Sequence, residues 1–514
     1  MSSRKAWPIR PEDGQIGERW SGLRPHVPFT IVFALGAAVR VLTAIAYKPA
    51  LMFAGDSYYY LVHAINLPPD EFHPAMYTAF LWPFQHLGAR SAVAPVQHVL
   101  GLATAVALYA LLLRLGLRPW VAALGCVPML LDSYQIITEQ YILAETLFQA
   151  FVVAAFVLLF WRERVSWVAG GVAALLISLS GLTRVVGLAL IPIVVGYVLV
   201  RRRGFRAIAS TIIAVAIPLL SYAAWYQSVH GSFALTGNTW VTVYGRVAPF
   251  ADCSDLQLPR AERVLCDPRP VPMRPWPNYY VFWGSSPAYK LPESRADALL
   301  KDFSKRVILH QPGTYLGVVL GDFLHYFAPI RTTRRWDDPI EAYRFQEHLP
   351  PPRPPGSYHQ AFVLLLPSSL QEFLREAVPF RQHKPFATAQ PAAGIARVLR
   401  LYQDVATTPG PLLALMCVLG VLGVVGTRRS GRRSLRAESL VLAVSGLALL
   451  ITPIATVIFD YRFMVPALPL LGAAGVIGAT SLHRRWSRRH DKAQGSDTSA
   501  GTDIEARGRA TLST

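Results

Sequence analysis

The chain has 514 residues, 53% of them hydrophobic and only 16% charged, and its 50 Lys and Arg against 31 Asp and Glu leave a net charge of +19. A soluble chain carries roughly a quarter charged residues, whereas the apolar residues here gather in runs near the ~20 residues that cross a bilayer. An ordinary soluble domain is excluded, and because the positive excess sits mostly between those runs, where it sets orientation, nucleic-acid binding is not expected.

Residues 1–27 are polar and hold Arg4, Lys5, Arg10, Arg19 and Arg24, which does not fit the short leader of a cleavable signal peptide. The first predicted span runs from about Pro28 to Tyr47. Arg40 lies inside it, so that face is expected to turn into a helix bundle. Two polar and aromatic stretches follow, Gly55-Asp56-Ser57-Tyr58-Tyr59-Tyr60 and Phe72-His73-Pro74-Ala75-Met76-Tyr77. Further spans are expected over about 92–113, 121–131 and 143–161, with Asp132, Glu139 and Glu145 in the turn between the last two. Residues 167–200 are too long for one span, and Thr183-Arg184 divides them in two. Another span covers about 207–225. After a long polar insertion come runs over 411–426, 440–459 and 464–482, the last two joined by Asp460-Tyr461-Arg462. The tail beyond 483 dissolves into Ser, Thr, Asp and Gly and is expected to be disordered.

Charge sets the orientation. The N-terminus and loops 114–118, 162–164, 201–206, 428–436 and 484–489 are basic, and the positive-inside rule makes them cytoplasmic. The alternate loops hold Asp56, Asp70, Glu71, Asp132, Glu139 and Asp460 and face outward. The expected fold is an all-α polytopic membrane protein of the plasma membrane with about ten spans, both termini inside. Twelve spans follow if the insertion adds a pair. Its parts are a tail (1–27), a seven-span module (28–225), an extracytoplasmic domain (226–409), three C-terminal spans (410–482) and a second tail (483–514).

In the insertion, Trp240, Tyr244, Tyr279, Tyr280, Phe282 and Trp283 are candidates for a small core, and Pro-rich pieces at 267–277 and 349–355 for loops. Pro312 to Pro329 predicts a helix. Asp322 and His325 make it a poor lipid-facing span, so it is expected on the outer membrane surface or wedged among the spans. Cys253 and Cys266 share this oxidising side and are expected to pair, while Cys126 and Cys417 lie in apolar runs as packing residues.

Asp56 is the leading candidate for chemistry. A carboxylate at a membrane boundary is costly unless solvated, paired or used. Its tyrosine neighbours suit an interfacial aromatic belt, and its own position suits a general base at headgroup depth. His73 either fixes a turn or touches substrate, Glu145 either orients a site or caps its helix, and Tyr59 either stacks on sugar or packs on lipid. Arg184 either binds phosphate or pairs with Glu145 or Asp132.

Several motifs together resemble the C-type (GT-C) superfamily of integral-membrane glycosyltransferases, which includes dolichyl-phosphate-mannose mannosyltransferases and aminoarabinose transferases. They are Gly55-Asp56-Ser57-Tyr58-Tyr59-Tyr60 after the first span, His73-Pro74 with Tyr77, and Ala144-Glu145-Thr146-Leu147-Phe148. Leu182-Thr183-Arg184 with Gly187-Leu188, and Tyr461-Arg462-Phe463 before Pro466-Ala467-Leu468-Pro469, complete the set. The resemblance covers about 28–226 and 440–480 and leaves the insertion without a counterpart. A single Asp56 stands where protein mannosyltransferases carry paired acids.

The resemblance implies transfer of a sugar, with inversion, from a polyprenyl-phosphate donor to a hydroxyl of a glycan, lipid or protein acceptor outside the cytoplasm. Asp56 would be the base, with His73, Tyr59, Glu145, Arg184 and Arg462 binding substrate; guanidinium suits phosphate. The superfamily admits a divalent cation, but no metal motif is visible and no cofactor is expected. The competing readings are a transporter or flippase of lipid-linked sugar, against which stands the lack of an internal repeat, a ligase of lipid-linked glycans, and a scaffold without catalysis.

Overall fold

The computed structural model describes residues 24–53, 55–201, 205–254, 256–348, 378–379, 390–425 and 435–487. The expectations for both tails, for the 349–355 piece and for most of the basic 428–436 run fall outside the described residues.

In chain order the first helices are α1 (Val27–Ala46), α2 (Asp56–Asn66), α3 (Met76–His86), α4 (Val93–Arg114) and α5 (Pro119–Leu131). Then come α6 (Ser133–Gln140), α7 (Glu145–Phe160), α8 (Trp167–Thr183), α9 (Ile191–Arg201) and α10 (Phe205–His230). The insertion supplies α11 (Thr239–Val247), α12 (Pro277–Phe282), α13 (Glu293–His310) and α14 (Pro312–His325). The chain closes with α15 (Ala393–Val405), α16 (Gly410–Leu422), α17 (Arg436–Thr456) and α18 over 468–487. Among the described residues the only strands are β1 (Leu51–Met52) and β2 (Val378–Pro379), paired in parallel.

The molecule is a helical membrane protein. Five segments are long and apolar enough to span: Arg24–Ala46, Arg90–Arg114, Phe205–His230, Arg436–Thr456 and Tyr461–Ser487. Two bent pairs raise the number to seven, α5 with α6 at 48° and Ala393–Val405 with Gly410–Val425 at 51°. Glu145–Phe160, Trp167–Thr183 and Val185–Arg201 are apolar but shorter. The bends and short lengths have local causes. Asp132 is extended and caps α6, its Oδ1 accepting from the backbone N–H groups of Tyr134 (2.8 Å) and Gln135 (3.3 Å). Arg184 is likewise extended and ends α8 before a 3-10 turn, Val185–Leu190.

Arg40 points into the bundle, 1% exposed. Its Nε and one terminal nitrogen donate to Glu139 at 2.7 and 2.8 Å, and its remaining donors reach the carbonyls of Leu130 (2.7 Å), Met129 (3.1 Å) and Gly36 (3.1 Å). His98 adds a contact to Glu139 at 2.9 Å. A Cβ on Gly101 would overlap the Glu139 carboxylate, so only glycine lets α4 approach this pair. Glu139 and Asp132, expected in an outward-facing loop, are buried instead, because α6 turns inward rather than lying in an open loop.

The basic termini collect at one end of the bundle. There His26 Nδ1 lies 2.8 Å from the Tyr109 hydroxyl, Arg114 donates to Trp161 O at 3.1 Å, and Arg484 donates to Gly116 O at 2.9 Å. Arg485 donates to Val425 O at 2.7 Å.

The insertion has a core of its own around Tyr244, Val247, Phe250, Tyr280, Phe303 and Val307, with Trp240 and Tyr279 packed against it. Phe282 and Trp283 do not join it. They are 52% and 47% exposed, Phe282 resting on Phe72 and Trp283 on Trp276. Cys253 and Cys266 are disulfide-bonded, and Cys126 and Cys417 are buried as free thiols. Helix α14 packs against α17, with Leu316, Leu320 and Leu324 exposed along one face and Asp322 buried on the other, where it takes Arg246 at 2.7 Å. Although α15 lies in the stretch assigned to the insertion, it packs on α1 and runs into the α16 span.

Candidate active site

At the end of the bundle away from the basic termini, four breaks in helical structure meet. The first is the start of α2. Phe53 N donates to Ser57 Oγ at 2.7 Å, which closes the turn and puts Asp56 in the first turn of the helix with its side chain 26% exposed. The second is the start of α7, where Glu145 is 1% exposed. The third is the extended residue Arg184. The fourth is a 3-10 segment, Tyr461–Ala467, begun by Asp460, whose Oδ1 accepts from the backbone N–H of Arg462 at 2.8 Å.

Arg462 is the hub. Its Nη1 donates to Asp56 Oδ2 at 2.8 Å, while its Nε lies 3.2 Å from Glu145 Oε1 and 3.7 Å from Asp460 Oδ2. Its guanidinium sits 4.5 Å from the centre of the Phe53 ring, a cation–π distance. Arg184 donates to the same Glu145 Oε1 and lies 5.7 Å from the Phe463 ring. Glu145 Oε2 and Thr146 Oγ1 are buried and make no hydrogen bond among the described residues. Asp460, expected in an outward-facing loop, is fully buried, because the Tyr343 hydroxyl donates to its Oδ2 at 2.7 Å and the Arg462 backbone takes the other oxygen.

A second line of contacts leads from Asp56 toward the surface. His73 Nε2 is 3.9 Å from Asp56 Oδ1, and His73 Nδ1 lies 3.1 Å from Asp70 Oδ2, with His63 3.9 Å from the same Asp70 oxygen. The Tyr60 ring covers His73 at 4.6 Å and Tyr77 at 4.7 Å. Tyr77 is anchored through Gln97 at 2.7 Å, and Gln97 donates to Glu139 O and Tyr141 O.

Electrostatics separate the carboxylates. Burial works to raise the Asp56 pKa, but the charge of Arg462, then of His73, the Arg462 hydrogen bond and the charge of Arg184 together hold it below the usual carboxylate range. For Asp460, burial outweighs Arg462 and its hydrogen bonds and leaves the pKa raised. Asp338 joins the same group from the insertion. Its backbone N–H donates to Phe459 O at 3.2 Å, and the Asn278 amide donates to its two carboxylate oxygens at 3.0 and 3.2 Å. Burial first, then Asp460 and Asp56, push Asp338 up to about 7 against the opposing pull of Arg462 and Asn278.

Asp56, His73, Glu145, Arg184 and Arg462, singled out from the sequence, are thus drawn together although 406 positions separate the first from the last. Tyr59 is not among them: it is 45% exposed and stacks on His63 and Phe72 at the edge. Sequence reasoning missed Asp338, Asn278 and Tyr343, whose polar insertion carries no motif. The one hint was Asp337-Asp338-Pro339, a carboxylate pair held extended before a proline. Among the described residues, no three His, Cys, Asp or Glu side chains are arranged to hold a metal ion. The arrangement is a largely buried pair of guanidiniums bordered by carboxylates, of which Asp56 is the most exposed, and it is suited to an anionic group and to moving a proton beside it. Comparison with known protein families, with curated proteins and with solved structures finds no match.

Proposed function

We propose that this chain is a membrane-embedded glycosyltransferase of the C-type kind, moving a sugar from a polyprenyl-phosphate carrier to an acceptor hydroxyl on the extracytoplasmic side of the cell membrane. In this reading the three shorter apolar helices join the seven longer or bent elements as ten spans, with both termini cytoplasmic. The observation that carries it is the Asp56–Arg462–Glu145–Arg184 cluster. It joins a carboxylate just after the first span to two guanidiniums, at the end of the bundle opposite the basic termini. The donor's phosphate arrives at that depth because its lipid tail lies in the bilayer.

The chemistry is a single displacement. The acceptor oxygen attacks the anomeric carbon, the bond from that carbon to the phosphate oxygen breaks with its electron pair going to phosphate, and the acceptor proton passes to Asp56. Arg184 and Arg462 hold the phosphate. Asp56 occupies Arg462 Nη1, so an anion that takes this nitrogen releases the carboxylate toward the acceptor. His73, braced by Asp70, lies behind Asp56 and stabilises the carboxylate until the proton arrives.

The test supplies radiolabelled polyprenyl-phosphate sugars to membranes containing the chain, with Asp56→Asn in parallel. Transfer by the wild type and its loss in the variant is expected. Movement of the intact lipid-linked sugar across vesicles without transfer would favour a flippase. Activity from diphosphate-linked glycans that survives Asp56→Asn would favour a ligase.

A further inference from the structure

Four carboxylates, Asp56, Glu145, Asp460 and Asp338, face two guanidiniums, Arg184 and Arg462. Three of the four are matched with a cation. Asp56 bonds to Arg462, Glu145 lies against both guanidiniums, and Asp460 holds the Arg462 backbone and lies 3.7 Å from its Nε. Asp338 is the exception. Among the described residues its side chain bonds only to the neutral amide of Asn278. It is partly buried, and its backbone is tied to Phe459, directly before the Asp460–Arg462 turn, which holds Asp338 at the edge of the Arg462 cluster.

Like charges crowded in a partly dry site cannot all ionise, and of the two raised carboxylates, Asp460 and Asp338, it is Asp338 that makes no direct ion pair among the described residues. The adjacent Asp337 turns to other partners, Arg334 at 3.1 Å and His325 at 3.3 Å. Tyr343 is committed to Asp460. The groups that set the state of Asp338 are therefore Asp56 from α2, Asp460 and Arg462 from the 3-10 segment, and Asn278 from α12.

We propose that Asp338, supplied by the insertion, is the proton donor to the lipid phosphate bound at Arg184 and Arg462, and to that phosphate as it leaves the sugar. The proposal rests on the transfer reading for its second half and, for its first, on the reading of the two guanidiniums as a phosphate site. The donor is a phosphodiester with one negative charge. When the sugar leaves, its phosphate gains a second, among carboxylates that already outnumber the guanidiniums. The Asp338 proton moves to that oxygen, so the polyprenyl phosphate departs as a monoanion while Asp56 keeps the proton from the acceptor. One proton is lost at Asp338 and one gained at Asp56, and exchange through water resets the pair. Two carboxylates with pKa values pushed apart, one low and one near neutral, are the pattern of an acid–base pair.

The experiment uses the full chain in nanodiscs and two readouts, binding of polyprenyl phosphate and single-turnover transfer from its sugar-loaded form. An acid must be protonated to act, so wild-type transfer is expected to fall as pH rises through about 7, approaching about tenfold per pH unit. Asp338→Asn lowers the rate about 10²-fold or more and removes that limb. Asn278→Ala, which takes away donors that favour the ionised form, moves the limb to higher pH without abolishing transfer. Polyprenyl phosphate should bind the wild type more weakly at pH 8 than at pH 6, by a larger factor than it does Asp338→Asn. The phosphate's own titration appears in both proteins and cancels in the comparison.

If the wild type transfers sugar and both variants keep its pH profile, Asp338 is not the proton donor. If no sugar is transferred but the Asp338-dependent binding difference persists, the transferase reading fails and the phosphate-facing proton stands. Equal pH dependence of binding in wild type and both variants overturns the proposal.

Discussion

Asp56 and Asp338 have the same Arg462 for a neighbour and are held in opposite ways, one by an ion pair and the other by a neutral amide. A base of lowered pKa is ionised across the neutral range. In its proposed role as base, Asp56 contributes an acid limb to kcat/KM below about pH 4, the ordinary carboxylate value, and a pH–rate profile that is flat from pH 5 to 6.5 is the check. Asp56→Asn should lower transfer by about 10²–10⁴-fold, or about 3–5 kcal/mol of barrier. Donor affinity should hold or rise, since Arg462 loses a competitor for phosphate; near-full turnover in a folded variant would remove Asp56 from the role of base. Arg40 belongs to a different class of buried charge. Its carboxylate partner is fully enclosed and its donors are all used, with no opening toward a substrate. Glu139→Ala would strand the guanidinium and lower stability by about 3–5 kcal/mol. The double change Arg40→Met with Glu139→Leu should cost less than the single one, as thermal unfolding in detergent would read.

At the scale of elements, the site is made where helices stop. Asp56 and Glu145 occupy first turns of α2 and α7, Arg184 sits in the break after α8, and Arg462 lies in a 3-10 turn before α18. Their charges meet because those termini converge, and a carboxylate in a first turn also gains from the helix dipole. Tyr343 is the brace from the insertion to this turn through Asp460. Tyr343→Phe should leave Asp460 with a weaker hold on the 3-10 segment and reduce transfer through misplacement of Arg462, with donor affinity falling alongside; unchanged donor affinity would separate the brace from the phosphate site. Within the insertion, the Cys253–Cys266 bond closes a loop of 13 residues' separation. The chain-entropy relation assigns about 3 kcal/mol to a closure of that size. Cys253→Ser with Cys266→Ser should make residues 239–310 more sensitive to protease, while the membrane bundle keeps its resistance.

For the whole molecule, charge is sorted along the bundle. Arg114, Arg484 and Arg485 bond at one end, and the Arg462 cluster occupies the other. In the proposed orientation, with the basic end cytoplasmic, the insertion and the site lie outside. Ser294 and Glu163 are exposed at positions assigned to opposite sides, and the native cysteines are bonded or buried. Ser294→Cys should react with an impermeant maleimide on intact cells, and Glu163→Cys only after permeabilisation. The reverse pattern would turn the molecule over and place every proposed catalytic group on the wrong side of the membrane.

Much of this architecture is a one-dimensional property of the chain. Long apolar runs, basic residues between them and a lone arginine at position 40 dictate helices in lipid and a bundle that must bury that arginine, because lipid offers neither hydrogen bonds nor counter-charge. Asp56, His73, Glu145, Arg184 and Arg462 stood out for a related reason: charged residues at the ends of apolar runs are few. Their ion pairs were not legible, since nothing local links position 56 to position 462. Asp132, Glu139 and Asp460 look solvated in a linear view and are buried, because helix bends and a 3-10 turn carry them inward. Phe282 and Trp283, apolar enough for a core, stay exposed because α12 turns Pro277, Tyr280 and Val281 inward in their place. Asp338 was marked only by its place in Asp337-Asp338-Pro339. Its chemistry comes from three-dimensional neighbours, Asn278 beside it and Asp460, Arg462 and Asp56 facing it. Apolar length and charge alternation act along the chain and survive in its sequence, whereas pairing and desolvation act through space and exist only once the helix ends have met.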